Sequence, residues 1–427
     1  MIAFALTAVL AAAGGGSSGF GGGGGGGGGG YGGGGAGGAG GGGLLYSVIV
    51  VAFLLFVMFS GLQVRRARKR REAHGRRVEL ASAEAAEDDP LLAADVVATA
   101  AEQIFRAAQE AWDARDDARL AQLLGADLLV EWRRRLDDFA ERGWHNRVEV
   151  QSVYGLEYLG LVNREGTADD RVTVRISARL SDWVETLDGA TVMRTGAASS
   201  VVALTEYWTL GRRGDGWIVA SIESDAEGAH VLDEEVVATP WGDEQRMQDA
   251  SVVELAAAEK LPDGVSTAEV ADLDYAGDAR AAALDLSLAD GRWAPDVLEA
   301  SVRRAVAAWA AAVDGADRDL LDVATPEAAG ELLHPGDPSG KTRLVIRGPR
   351  VRRLRIVALD PAATPPTMTV EVEVHGRRYV EDRDTAAVLS GSKSRAATVA
   401  ERWTLALAGP DDRPWQVVGV AGSDVHA

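Results

Sequence analysis

The chain has 427 residues, with 44 basic and 64 acidic side chains, a net charge of −20 and no cysteine. The lack of cysteine excludes disulfide bonds, thiolate nucleophiles and cysteine-ligated zinc, and the length predicts two or three folded units of roughly 150 residues each. The charge is unevenly distributed, because residues 1–63 have no charged side chain and residues 64–77 have eight basic residues and one acidic residue. Residues 78–427 therefore hold 44 − 8 = 36 basic and 64 − 1 = 63 acidic residues. Phosphates require a basic surface, so this acidic body argues against nucleic acid as a partner.

The amino-terminal end contains two different segments. Residues 1–13, MIAFALTAVLAAA, are apolar and end in small residues, like the hydrophobic part of a secretory signal peptide. They lack the basic start of such a signal, so a cleaved signal and an uncleaved stub both remain open. Residues 14–43 contain 24 glycines in 30 positions. Such a segment loses much backbone entropy on ordering and has little to bury, which predicts a disordered tail.

The next stretch, LLYSVIVVAFLLFVMFSGL at residues 44–62, has 19 residues without a charge. At about 1.5 Å per residue it is long enough to cross a hydrocarbon layer of roughly 30 Å as one transmembrane helix; a buried core helix is the alternative. The basic cluster that follows predicts a single-pass plasma-membrane protein with the glycine-rich tail outside and the folded units in the cytoplasm. The cations that we expect at the lipid surface, unless they act only as a topology signal, are Arg65, Arg66, Arg68, Lys69, Arg70 and Arg71.

A basic juxtamembrane segment and an acidic linker at residues 63–90 lead into a first predicted domain at residues 91–225. Apolar residues recur there at helical spacing, from Ile104 to Trp112. From Val148 onward they alternate with polar residues, as in strands with one buried face, and VVALTEYWTL, GRRGDG and WIVASI together predict a hairpin. The pattern therefore predicts helices packed on an antiparallel sheet.

Residues 296–424 repeat this order of patterns. The sequence TEYWTL at residues 205–210 returns as AERWTL at residues 400–405, and each is followed by a polar turn and a second tryptophan. The simplest account is a duplicated domain, with residues 226–295 as a helical connector that docks on one or both copies. The predicted fold class is α+β: tandem cone-shaped domains, each made of helices packed on a curved antiparallel sheet, preceded by one transmembrane helix.

The repeated tryptophans have matching spacings. Trp112 and Trp208 are 208 − 112 = 96 residues apart, and Trp309 and Trp403 are 403 − 309 = 94 residues apart. A tryptophan on the apolar face of a strand indicates a core residue, and a glutamate two positions before it would share that face. A twist or bulge that brings the glutamate to solvent is the alternative. The pocket or core candidates are Trp112, Glu206, Trp208, Trp309, Glu401 and Trp403.

These residues resemble the family of the mitochondrial inner-membrane translocase subunit 44, in its bacterial, membrane-anchored members. The features that carry the resemblance are AAEQIFRAAQEAWDARDDARLAQLLGADLLVEWRRRLDD and TEYWTLGRRGDGWIVASIESDAEG. The resemblance covers residues 91–225 well and residues 296–424 more weakly. It implies a cone of helices on a curved sheet, similar to nuclear transport factor 2, with a large apolar pocket, contact with membrane lipid and a scaffold role. The long chaperone-recruiting part of the mitochondrial protein has no counterpart here, so its import function is not carried over.

No motif for catalysis, a cofactor or a metal is visible, since none of the six histidines stands three or four positions from another. The first hypothesis is a membrane-tethered, non-enzymatic binding or scaffold module for a lipid, an apolar small molecule or a protein partner. The second is an isomerase or hydrolase that uses an acid inside the pocket, with a raised pKa. The third is a structural subunit of a larger membrane complex, with its pocket filled by its own side chains. The acid–base candidates for the second hypothesis are Glu206, Glu401, Asp182 and Tyr207.

Overall fold

A computed structural model describes residues 13–20, 42–164, 166–257, 273–275, 279–313 and 318–421. Within these residues the chain forms two units, and each packs its helices on one face of an antiparallel sheet. The α+β class is therefore confirmed.

The first unit contains three helices followed by a five-stranded sheet. The strand order is β1-β2-β4-β5, and the short β3 pairs with β2. Three register shifts between β1 and β2 bend the sheet, since each extra residue increases the local twist. The elements are α2 (Ala94–Asp113), α3 (Asp117–Leu123), α4 (Ala126–Glu141), β1 (Trp144–Val162), β2 (Arg171–Thr186), β3 (Thr191–Val192), β4 (Val201–Arg213) and β5 (Gly216–Ser224).

The helix α2 shows why this sequence builds the unit. Val97, Ala101, Phe105, Ala108 and Trp112 recur at spacings of three or four and are all buried. This stripe lies on one side of a helix and covers the sheet, where the ring of Phe105 meets that of Trp208 edge-on at 5.1 Å between centroids. The helices are therefore held to the sheet by apolar contact.

The second unit has the same order of helices and strands, with additions at its start. Its sheet runs β10-β9-β8-β7-β6, in which only β6 is parallel to its neighbour. The described parts of the predicted connector dock on both units, because Val253 and Ala279 belong to this core, whereas Val231 and Leu232 pack against the first sheet. The elements are α5 (Glu244–Ala257), β6 (Leu273–Tyr275), α6 (Ala279–Ala289), α7 (Pro295–Ala311), α8 (Arg318–Leu321), α9 (Pro326–Leu333), β7 (Thr342–Asp360), β8 (Thr367–Asp382), β9 (Val388–Leu407) and β10 (Trp415–Ala421).

The helix α1 (Gly42–Asp88) is 47 residues long and joins three predicted segments without a break. The linker at residues 63–90 is helical almost to its end, and Val78 and Ala85 are buried in the first core. His74 fixes the helix to the outer face of the first sheet, with its Nε2 atom 2.8 Å from the Leu159 carbonyl oxygen. The first unit therefore begins inside α1 and not at residue 91.

The predicted transmembrane segment at residues 44–62 is the first part of α1. Of its side chains, only Met58, Phe59 and Leu62 are described. Over the part of the chain that the structure describes, no helix has a stretch long and apolar enough to cross a bilayer. The membrane span stays a prediction.

Residues 13–20 lie against the folded units, which differs from the disordered tail predicted for residues 14–43. Ala13, Ser17 and Phe20 are buried. The difference arises because this short stretch carries an aromatic ring and two serines that find partners, whereas the prediction rested on glycine content. Residues 21–41 and residues 1–12 of the signal-like segment lie outside the described residues.

The two strand tryptophans provide a test of the two cores. Replacing Trp208 or Trp403 by alanine leaves a cavity among close-packed rings, and we expect each change to lower the free energy of unfolding by about 3–5 kcal/mol. Urea denaturation measures this effect. Trp241, whose side chain is 79% exposed, is the control, and Trp241→Ala should shift stability by less than about 0.5 kcal/mol. Equal effects of all three substitutions would contradict the core assignment.

Candidate functional site

The interior of each cone is filled by its own aromatic side chains. In the first unit Trp112 stacks edge-on against Trp132 with 5.1 Å between centroids. In the second unit Trp309 meets Trp403 at 6.0 Å. The four predicted tryptophans thus lie in the cores. Within the described residues, the large apolar pocket implied by the family resemblance is reduced to a cavity of about 70 Å³ at the mouth of the first cone, which we call the mouth cavity.

Glu206 points from β4 into the mouth cavity and is 1% exposed. Its Oε2 atom accepts a hydrogen bond from Nε1 of Trp208 at 3.0 Å. Burial raises the pKa of Glu206 to about 7, although the Trp208 hydrogen bond and the charge of Arg194 act in the opposite direction. The side chain therefore titrates near neutral pH.

Glu401 has the same position relative to its tryptophan but a different partner. It is 5% exposed, and its Oε1 atom accepts a hydrogen bond from Nη2 of Arg378 at 3.0 Å. Nε1 of Trp403 has no hydrogen-bond acceptor among the described residues. The two glutamates are therefore not interchangeable, since an arginine of its own sheet compensates the charge of Glu401.

The mouth of the first cone is closed by the second unit through buried ion pairs. Glu131 of α4 accepts hydrogen bonds from Arg343 Nη1 at 3.0 Å and from Arg383 Nη2 at 2.6 Å. Nε of Arg383 also donates to Glu131 at 2.9 Å, and all three donor atoms meet at a single carboxylate oxygen, Oε1. This shared carboxylate ties one end of the β7–β8 pair, where β7 begins and β8 ends, to the first unit. We call the contact surface between the two units the seam.

Two further ion pairs lie along the same edge of the seam. Arg134 pairs with Asp384 at 2.7 Å, and Arg135 lies 3.4 Å from Glu381. Glu381 also accepts a hydrogen bond from Lys393 at 3.0 Å. Burial alone would raise the pKa of Glu381, but Lys393 and Arg135 outweigh it and lower the pKa. The carboxylate therefore stays charged in the seam.

At the other edge of the seam a histidine lies between carboxylates. His230 donates from Nε2 to Glu223 at 2.8 Å and from Nδ1 to Glu234 at 2.6 Å. Burial lowers the pKa of His230, but the two carboxylates outweigh it and raise the pKa to about 10. Burial raises the pKa of Glu223, yet Arg347 and His230 reverse this and lower it to about 2. His230 and Glu223 are therefore both charged at neutral pH, and their ion pair stabilises this edge of the seam.

A larger cavity of about 430 Å³ lies beside this edge, between the outer face of the first sheet and the start of the second unit. We call it the cleft. Its floor carries the hydroxyls of Thr173 and Thr209, which are 2.9 Å apart, and its far wall includes Ala310 and Ile346. The lining also includes charged side chains of both signs, Arg171, Glu223, His230, Glu234, Glu235 and Arg347. The cleft therefore combines apolar and charged surface.

The predicted membrane-surface cations divide into two groups on α1. Arg70 and Arg71 form ion pairs with Asp233 and Glu157 of the first unit, and Arg68 pairs with Glu72 on the helix itself. The exposed cations of the cluster with no ion pair to a described acidic residue are Arg65, Arg66 and Lys69.

No group of histidine, aspartate and glutamate side chains in the described part of the chain could hold a metal ion. The seam residues were missed by the sequence analysis. Arg343 and Arg347 stand in a strand that reads RLVIRG, where a charged residue between apolar ones predicts a solvent-facing position. Only knowledge of the second unit's orientation could have identified them as buried.

Comparisons with known proteins support the resemblance for the first unit. Residues 78–224 match the family described as Tim44-like domain, which includes the part of α1 that packs in the first core. None of the curated proteins compared with the chain matches it.

Two solved structures are similar to the chain, at low TM-scores. The intermembrane space region of the chloroplast protein ARC6 is 17% identical, with 30% of this chain and 95% of that chain covered and a TM-score of 0.24. An Ntf2-like protein involved in plasmid conjugation is 10% identical, with 66% of this chain and 80% of that chain covered and a TM-score of 0.19.

The shared carboxylate predicts how the two units are coupled. Glu131→Gln leaves Arg343 and Arg383 buried without a compensating charge, and we expect a loss of about 3 kcal/mol in the free energy of unfolding. We also expect a urea titration to show one unfolding transition for the wild type and two for this variant. Glu141→Gln, at an exposed position of the same helix, should have neither effect. Matching curves for the two variants would show that the seam does not depend on Glu131.

The raised pKa of Glu206 predicts a pH dependence of stability. Because the folded state binds the proton more tightly than the unfolded state, stability should fall as pH rises from about 4.5 to about 7. Glu206→Gln removes this loss and should stabilise the protein above pH 7 by up to about 3 kcal/mol, at about 1.4 kcal/mol per pKa unit. Thermal unfolding between pH 5 and 8 measures the difference from wild type. Glu401→Gln breaks an ion pair and should destabilise instead; stabilisation by both substitutions would contradict this account.

Proposed function

We propose that the chain is a membrane-tethered, non-enzymatic binding or scaffold protein whose two cones hold a ligand or partner at their seam. The observation that carries the proposal is the match of residues 78–224 to the Tim44-like domain, in a unit fused to the apolar stretch at residues 44–62 by one helix. The repeated order of elements supports a duplicated domain. The proposed site of action is the cytoplasmic face of the plasma membrane, with the glycine-rich segment outside.

The tether and both units form one connected body in the structure. Arg70 of α1 pairs with Asp233, and Asp233 also binds Arg350 of β7 at 2.8 Å. One carboxylate therefore links the helix, the turn after the first unit and the second sheet. A scaffold benefits from this arrangement, because a partner bound at the seam keeps a fixed orientation relative to the tether.

The cleft is the better candidate for ligand binding. Its volume of about 430 Å³ falls within the range of roughly 300–1,000 Å³ of small-molecule sites, whereas the mouth cavity of about 70 Å³ does not. The lining combines apolar groups, the paired hydroxyls of Thr173 and Thr209, and charged side chains of both signs. This combination favours an amphipathic molecule, or a segment of a protein partner with both apolar and polar side chains.

The enzyme alternative retains one observation in its favour. Glu206 lies in a cavity and has the raised pKa that a pocket acid needs. Of the other candidates, Asp182 is committed to Asn146 and Arg194, and neither Tyr207 nor Glu401 lines either cavity. The mouth cavity is also lined by Glu131, Glu227 and Glu381, and a space of about 70 Å³ supports binding of water better than turnover of a substrate. Within the part of the chain that the structure describes, the aromatic side chains that fill each cone leave no room for a ligand inside it. This filling also favours the third hypothesis, a structural subunit.

Native mass spectrometry of the full-length chain, released from detergent micelles after purification from its own host, tests the cleft. We expect an added mass on the wild-type protein that is lost in Ala310→Phe, because the new ring occupies the cleft. Ala307→Phe, at an exposed position of the same helix, is the matched control and should keep the added mass. A bare wild-type protein would contradict ligand binding and favour the structural subunit.

A further inference from the structure

Residues 13–20, which we call the strap, occupy a specific seat at the mouth of the first cone. The backbone N–H of Ala13 donates to Oε1 of Gln109 at 3.0 Å, inside the first core. Arg135 donates to the carbonyl oxygen of Gly14. The N–H of Ser18 donates to the Thr385 carbonyl of the second unit at 3.3 Å. The strap therefore contacts both units through its backbone.

The seat accepts glycine at two positions. Gly14 has φ +76°, and a Cβ atom there would lie 2.4 Å from Nε1 of Trp132. A Cβ atom on Gly16 would lie 1.7 Å from the Thr385 carbonyl oxygen. These distances are far shorter than van der Waals contact, and Trp132 and the Thr385 backbone belong to packed elements that have little room to move. The close contact of the strap with both units therefore permits only glycine at positions 14 and 16.

The carboxyl-terminal end of the strap, from Ser17 to Phe20, makes its contacts through side chains. The hydroxyl of Ser17 donates to Asp138. The ring of Phe20, which is 4% exposed, meets Phe139 edge-on at 6.1 Å between centroids. The guanidinium of Arg194 lies over the other side of that ring at 4.9 Å. An aromatic ring between a second ring and a cation is a favourable arrangement.

We propose that this seat is a peptide-binding site for a glycine- and serine-rich segment that makes a 3-10 turn before a final aromatic residue, and that the strap of this chain is its occupant. The site is separate from the cleft. Its ligand is recognised by backbone hydrogen bonds, by exclusion of side chains at two positions and by one aromatic anchor.

The seat also bears on the membrane topology. If residues 44–62 cross a bilayer, residues 13–20 lie on the opposite side from the folded units and cannot reach the seat. Docking of the strap and membrane crossing therefore exclude each other in one molecule. A chain inserted in a membrane presents an empty seat, and a segment of the same chemistry can bind there from another molecule.

Because the chain has no cysteine, introduced cysteine pairs test the seat directly. In full-length protein extracted in detergent, Ser17→Cys with Asp138→Cys should form a disulfide about tenfold faster than Ser17→Cys with Asp215→Cys, which lies in an exposed turn. Ser18→Cys with Thr385→Cys tests the contact with the second unit in the same way. Adding Gly16→Val to either pair should abolish the difference, as should an excess of the synthetic peptide AGGGSSGF.

The same pairs in sealed membrane vesicles separate this inference from the proposed function. In vesicles we expect no disulfide, because the strap is on the other side of the membrane. We also expect saturable binding of labelled AGGGSSGF but not of AGGGSSGA. These two results together support both the seat and the membrane span. Disulfide formation in vesicles supports the seat and overturns the span. Equal rates for the contact and control pairs in detergent, together with no saturable binding of the peptide in vesicles, overturn the seat and leave the span unaffected.

Discussion

The arrangement of the two units depends on the need to compensate charges that are buried between them. Glu131 accepts hydrogen bonds from two arginines of the second unit at one oxygen atom. Taking such groups out of water is favourable only when the partners are in place, so each charge fixes the position of the others. Apolar contact holds each cone together, whereas matched charge holds the cones to each other. The first kind of contact tolerates small shifts, and the second defines a single relative orientation.

Glu206 and Glu401 stand at the same position of the repeated sequence pattern, two residues before a tryptophan, but their carboxylates have different partners. Glu401 has Arg378 beside it and remains an ordinary structural carboxylate. Glu206 faces the mouth cavity, with the indole N–H of Trp208 as its hydrogen-bond donor. A neutral donor compensates a buried charge less well than a cation does, and burial raises the pKa of Glu206 to about 7. The difference is set by the surroundings and not by the motif.

Much of each cone could be predicted from the sequence, because its signals are local. The alternation around Trp208 and the helical stripe that ends at Trp112 require only the geometry of strands and helices. The seam could not be predicted in this way, since Glu131 and Arg383 are 252 residues apart and each reads as a surface residue. The packed strap was missed for a related reason. Glycine content describes the entropy lost on ordering, but it does not show which surface offers hydrogen bonds in return.

The unbroken course of α1 has a mechanical consequence. A continuous helix of 47 residues is about 70 Å long at 1.5 Å per residue, and helices bend sharply only at particular defects such as proline. The sequence of α1 contains no proline, its one Ser-Gly pair stands at residues 60–61, and its carboxyl-terminal half is packed on the first sheet. Wherever the apolar end is held, a tilt of about 10° swings the opposite end through roughly 12 Å for a lever of that length. Apart from the Ser-Gly pair, α1 has no such defect, so a tilt imposed on its apolar end would reorient both units together.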